Sequence, residues 1–226
     1  MHIMLSQTNT SSQPSPSQAT RQVPRGWTTA VQALLSAGLL LQTGVALADY
    51  KGANPMQESR EVAAAMLKEL GQQLQAAMAE GGVLNAIGVC HTQAPAIAAR
   101  ISKEENITIT RIGTRVRNPV LGVPNDWQAL ALKEFKDGLA KGQKPADMEF
   151  VQAVKAGAGS RMELRYAKPI VTQPMCLACH GSGDDISPQV KAKLDELYPQ
   201  DKATGYKAGE LRGAVVVSRF IGYSNN

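Results

Sequence analysis

The chain has 226 residues, 43% of them hydrophobic and 4% aromatic, with 24 basic and 19 acidic side chains giving a net charge of +5. That length suits one domain, or a domain with helical appendages, and the apolar fraction is enough for a core. The positive charge is diffuse, and no run of Lys or Arg is long enough to argue for nucleic acid as a partner.

Residues 1–48 read as an export signal. They hold Arg21 and Arg25 but no Asp or Glu, and an apolar run at 33–41 leads to "ALA" at 46–48 and then Asp49. Ala46 and Ala48 are the small residues a signal peptidase needs, so cleavage after Ala48 is expected. The product is then periplasmic, in a bacterium, with no stable membrane span left. An uncleaved anchor is the rival reading. Against it, the stretch 30–48 is short for the roughly 20 residues of a spanning helix, and Gln32 and Gln42 interrupt it. Removing 1–48 leaves two histidines, His91 and His180, and three cysteines, Cys90, Cys176 and Cys179.

An amphipathic helix is predicted over 56–80, where Val62, Met66, Leu70, Leu74 and Met78 recur every fourth residue. Gly81 and Gly82 end it, closing a helical extension (49–82) ahead of a domain over 83–226. A second helical stripe, Ile87, Cys90, Ala94, Ile97 and Ile101, has Pro95 inside it. Proline cannot donate to the His91 carbonyl, so a kink or restart is expected there. "NITITRIG", 106–113, reads as a strand. The Pro/Gly/Asn-rich loop 117–127 leads to a helix over 126–139, and a short helix is predicted over 146–155. "RMELRYAKPIV", 161–171, alternates Met162, Leu164 and Tyr166 with Arg161, Glu163 and Arg165, the pattern of a half-buried strand. Ser187-Pro188 opens a helix to about 197 as N-cap and first-turn proline, and 211–220 reads as a last strand. Helices first and strands mostly later give α+β with an antiparallel sheet.

"MCLACHG", 175–181, concentrates two of the cysteines and one histidine. C-x-x-C-H is the attachment pattern of c-type haem. Two thiols two residues apart can add to the vinyl groups on one edge of the porphyrin, and the next histidine lies beneath the iron as proximal ligand. An export signal agrees, because bacteria attach such haem outside the cytoplasmic membrane. A redox C-x-x-C usually opens a helix after a βα pattern, whereas here a strand with Pro169 and Pro174 precedes the motif. Zinc on Cys176, Cys179, His180 and Cys90 is the inorganic rival. Adjacent Cys179 and His180 are awkward partners on one tetrahedral ion, and no second C-x-x-C exists.

Cys90 is the odd cysteine. It is either a buried small hydrophobe on its stripe or the second axial ligand. His91, about 100° further round a helix, competes with it. A methionine is the third candidate, although Met66, Met78, Met148 and Met162 sit at core-like spacings.

Four blocks carry a resemblance: "AIGVCHTQAPAIAARIS" (86–102), "RNPVLGVPNDW" (117–127), "KPIVTQPMCLACHG" (168–181) and "DKATGYKAGELRGAVVV" (201–217). Together they resemble the exported single-haem c-type cytochromes with a PAS-like fold, a domain also found as the sensing part of histidine kinases. The resemblance implies a PAS-like antiparallel sheet with flanking helices and one covalent haem c. It also implies a His/Cys axial pair, with His180 matching the proximal ligand and Cys90 the distal thiolate. The expected function is electron transfer, or sensing of redox state or of a small gas such as CO or NO. No kinase or cyclase region follows Val217, so any signalling is expected to pass through a redox or signalling partner protein. Arg115 and Arg117 are candidates for pairing with the haem propionates, the plain alternative being a solvated strand face. Two other functions stay open: a haem peroxidase or reductase with an openable iron site, for which His91 is the available distal base, and a structural zinc module.

Overall fold

The computed structural model describes residues 54–157 and 159–224. The predicted export segment 1–48 lies outside these residues. Helix α1 (Pro55–Gly88) is capped by the Asn54 side chain, which accepts from the Gln57 amide at 3.1 Å. Val62, Met66 and Leu70 are buried along one face, as their spacing predicts. At the predicted break Gly81 and Gly82 leave helical geometry, and Gly82 has φ 67°, a region that only glycine adopts freely. The helix resumes to Gly88 and runs into a π-turn (Val89–Gln93), followed by α2 (Ala94–Glu104). The predicted disturbance near Pro95 takes the form of that wide turn.

Strand β1 (Thr108–Gly113), α3 (Asp126–Ala140), a 3-10 turn (Pro145–Asp147), β2 (Phe150–Lys155) and β3 (Arg161–Val171) follow. Next come a second 3-10 turn (Pro174–Cys176), the single turn α4 (Leu177–His180), α5 (Pro188–Leu197) and β4 (Leu211–Tyr223). A reciprocal capping box between Asn125 and Gln128 opens α3, and the Ser187 hydroxyl caps α5. The predicted helix over 146–155 is a correction: only a 3-10 turn forms, and 150–155 is strand. There Phe150 pairs with Ala167 and Val151 with Tyr166 in a hairpin whose turn holds Gly157 at φ 74°. Ladder bonds to β3 and burial of Phe150, stacked on Trp127, outweigh the weak local helical spacing.

The four strands form one antiparallel sheet in the order β1-β4-β3-β2. Val215 and Val217 of β4 face a core shared with α1 and α2, while Ala214 and Val216 face one shared with α3. A strand covered on both faces reads as a continuous apolar run, which "GAVVV" is. The architecture is therefore α+β, with an antiparallel sheet, flanking helices and an N-terminal helix. No helix among the described residues is long and apolar enough to cross a membrane.

Candidate functional site

A cavity of about 410 Å³ opens between α1, the π-turn, β1 and the Cys176–His180 segment, and Cys90, Cys176, Cys179 and His180 all line it. Most of its wall is apolar, including Met66, Leu70, Leu74, Ile87, Ala94 and Ile170.

β3 delivers the chain to Pro174, and two short turns place Cys176 and Cys179 one helical turn apart. A loop zips against that turn: the Gly205 amide donates to the Gly181 carbonyl at 2.6 Å and the Tyr206 amide to the His180 carbonyl at 2.9 Å. His180 Nδ1 lies 2.7 Å from the Ala203 carbonyl oxygen. A carbonyl only accepts, so Nδ1 carries the proton and Nε2 keeps its lone pair, the tautomer a metal-binding imidazole needs. Burial first, then the charges of Arg212 and Arg117, pull its pKa down to about 2, so the ring is neutral. Burial pushes the Cys179 thiol up to about 11.

Cys90 reaches the cavity from the π-turn. Pro95 has no N–H, and the Ala94 N–H donates to the Val89 carbonyl five residues back, widening the turn. His91 is exposed, does not line the cavity, and packs edge-on against Tyr198 at 5.3 Å between ring centroids. Of the methionines, Met66, Met78 and Met175 line the cavity, whereas Met148 is buried beneath α3 and Met162 lies on β3. Among the described residues, no three His, Cys, Asp or Glu side chains converge as a metal site, so Cys176, Cys179, His180 and Cys90 do not form the zinc tetrad.

A family model described as Tll0287-like matches residues 9–219. The chain belongs to the Tll0287-like family. Among solved structures it is similar to the crystal structure of the cyanobacterial heme-protein Tll0287, at 24% identity and a TM-score of 0.55. That match covers 76% of the present chain and 100% of the other, and at this identity it shows the fold. No curated protein matches.

The arginines of this Tll0287-like chain divide differently from the sequence expectation. Arg115 lies outside the cavity: it donates to the carbonyls of Thr204 and Gly205 at 2.8 and 3.0 Å, pairs with Glu210 at 3.0 Å and stacks over Tyr206 at 3.7 Å. Arg117 borders the cavity but is committed to Asp201, at 2.9 Å, and to the Cys179 carbonyl, at 2.5 Å. Arg111 and Arg212 line the cavity without a carboxylate partner among the described residues. Burial pulls both guanidinium pKa values downward. Strand parity offered a signal for Arg111, since it follows the buried Ile109 by two positions and so shares its inward face. Arg212 had none, because its direction depends on a bulge.

Proposed function

We propose that this chain is a haem-binding protein, and in particular an exported, periplasmic monohaem c-type cytochrome that transfers electrons or senses redox state or a small ligand through a partner protein. The observation that carries the reading is the His180 imidazole, held neutral with Nε2 free in an apolar cavity that Cys90, Cys176 and Cys179 also line. Membership of the Tll0287-like family and likeness in fold to a heme-protein support it.

Bound there, haem would supply one-electron chemistry between ferric and ferrous iron. Cys176 and Cys179 would hold the macrocycle by thioether bonds, and His180 and Cys90 would take the axial positions. Ala203 keeps His180 in its ligand tautomer, and the mostly apolar wall would limit contact with water. The thiolate of Cys90 would bring negative charge to the metal and favour the ferric state. A peroxidase or reductase is less well supported, because His91, its distal base, sits outside the cavity against Tyr198.

Expression of the full chain with a c-type maturation system tests the reading. Intact mass is expected to give residues 49–226 plus one haem, with colour that survives acid–acetone extraction. Replacing Cys176 and Cys179 by Ser removes that colour. Colour lost on extraction of the native chain refutes thioether attachment, and an uncleaved chain in the membrane fraction establishes an anchor instead.

A further inference from the structure

Arg111 and Arg212 are two cations in one apolar cavity. Among the described residues neither forms an ion pair and Arg111 has no hydrogen-bond acceptor, and Arg212 Nε is buried without one. The other two arginines of this region, Arg115 and Arg117, are each satisfied by a carboxylate and by backbone carbonyls. Such a contrast within one neighbourhood is informative, since a desolvated guanidinium with five donors is costly to leave unmatched.

The fold takes trouble to point Arg212 inward. Ile170 pairs with Gly213 but Val171 pairs with Leu211, so Arg212 is the extra residue of a β-bulge. Strict alternation would send it to the α3 face with Ala214 and Val216, and the bulge re-aims it into the cavity. Gly113 leaves the space it passes through, for a Cβ there would lie 3.0 Å from Arg212 Nη1 and 2.7 Å from the Arg115 carbonyl oxygen. The Arg115 carbonyl in turn accepts from that Nη1 at 3.2 Å, and the guanidinium lies 5.2 Å from the Tyr206 ring centroid, so the head is fixed.

We propose that Arg111 and Arg212 form a dicarboxylate-binding pair for the two propionates of the haem, and thereby set how the macrocycle is turned in its cavity. The proposal rests on the haem reading above. A single carboxylate would leave one cation uncompensated, whereas the two propionates of one porphyrin match the pair in number and sign. They leave the ring on the edge opposite the vinyl positions. Cys176 and Cys179, on their own segment, and the arginines of β1 and the β4 bulge would thus grip opposite edges. Planar forked pairing to carboxylates is what arginine provides and lysine provides less well.

Resonance Raman spectra and midpoint potentials of the holoprotein test this with Arg111→Gln, Arg212→Gln, the two Lys variants and Arg115→Gln. Each Gln variant is expected to shift the propionate bending band and to lower the potential, because a cation that stabilises the more negative ferrous form is gone. Lys recovers most of the potential but not the band position, and Arg115→Gln changes neither. Failure of the Gln variants to acquire haem during maturation, with full loading of the Lys variants, supports the pair equally. Fully loaded Gln variants with the native band and potential overturn it while leaving the haem reading intact. A native chain that carries no haem sinks both. A crystal structure of the native holoprotein decides without any variant: propionate oxygens on Arg111 and Arg212 support the pair, and propionates elsewhere overturn it.

Discussion

Asp201→Ala probes the support behind His180. Asp201 and Arg117 form an ion pair with side-chain exposures of 8% and 9%, at 2.9 Å. The second Asp201 oxygen accepts from the Ala203 amide at 2.7 Å, and the Ala203 carbonyl oxygen holds His180 Nδ1. Removing the carboxylate therefore strands a buried guanidinium and an amide together. Breaking a buried pair on one side costs about 3–5 kcal/mol. In a domain of this size each kcal/mol moves the melting temperature by about 2–4 °C, so a fall of roughly 6–20 °C is expected. Thermal unfolding followed by far-UV circular dichroism measures it. The Arg117→Leu/Asp201→Leu double variant should recover most of the loss, because the penalty belongs to the uncompensated charge. The exposed pair Lys191–Asp195, at 2.8 Å, is the internal control, and Asp195→Ala should change little. A loss below about 1 kcal/mol for Asp201→Ala, or a double variant as unstable as the single, refutes the reasoning.

Cys90→Ser is expected to change the ferric absorption spectrum and raise the midpoint potential, since an anionic thiolate favours ferric iron. His91→Ala should leave both nearly unchanged, and the reverse pattern would transfer the ligand role to His91. Gly213→Ala should cost about 1–3 kcal/mol in urea titration, because its Cβ would collide with the Ile112 carbonyl oxygen across the β1–β4 pairing. A native midpoint would contradict that packing. In chain prepared without haem, His180 resists protonation down to about 2, whereas the unfolded chain protonates near 6.5. The unfolded state then binds more protons between these values, so stability is full above about pH 6.5 and declines with acid. Urea midpoints at several pH values should show the slope, and His180→Gln should flatten it.

Much of this molecule was legible because its signals are local. The apolar spacing of Val62, Met66 and Leu70, the Gly81-Gly82 break and the Ser187 cap lie within one turn of the residues they govern. C-x-x-C-H is likewise a contiguous chemical pattern. What escaped depends on pairing between distant segments. β2 exists because β3 offers it a ladder, and Arg212 faces the cavity because β3 and β4 slip by one residue between Ile170 and Val171. Arg115 and Arg117 read from the sequence as candidates for the haem propionates, with no local signal of what else they pair with. Their true partners, Glu210 and Asp201, lie at the far end of the chain.

The wide turn at Val89–Gln93 also governs where this chain can tolerate a change of length. Its closing bond spans five residues, one more than an α-helix uses. Both flanks are fastened, Ile87 against Val190, Leu194 and Tyr198, and Ile97 and Ile101 in the core with β1 and β4. Deleting a residue inside α2 would turn a buried stripe by about 100° out of its core. Deleting exposed Thr92 or Gln93 would instead tighten the turn to an ordinary helix and leave both fastenings in phase. Along this helical stretch a one-residue deletion is therefore cheaper at the turn that aims Cys90 than inside α2, so a lineage could lose that thiol's aim in a single genetic step without rebuilding the fold.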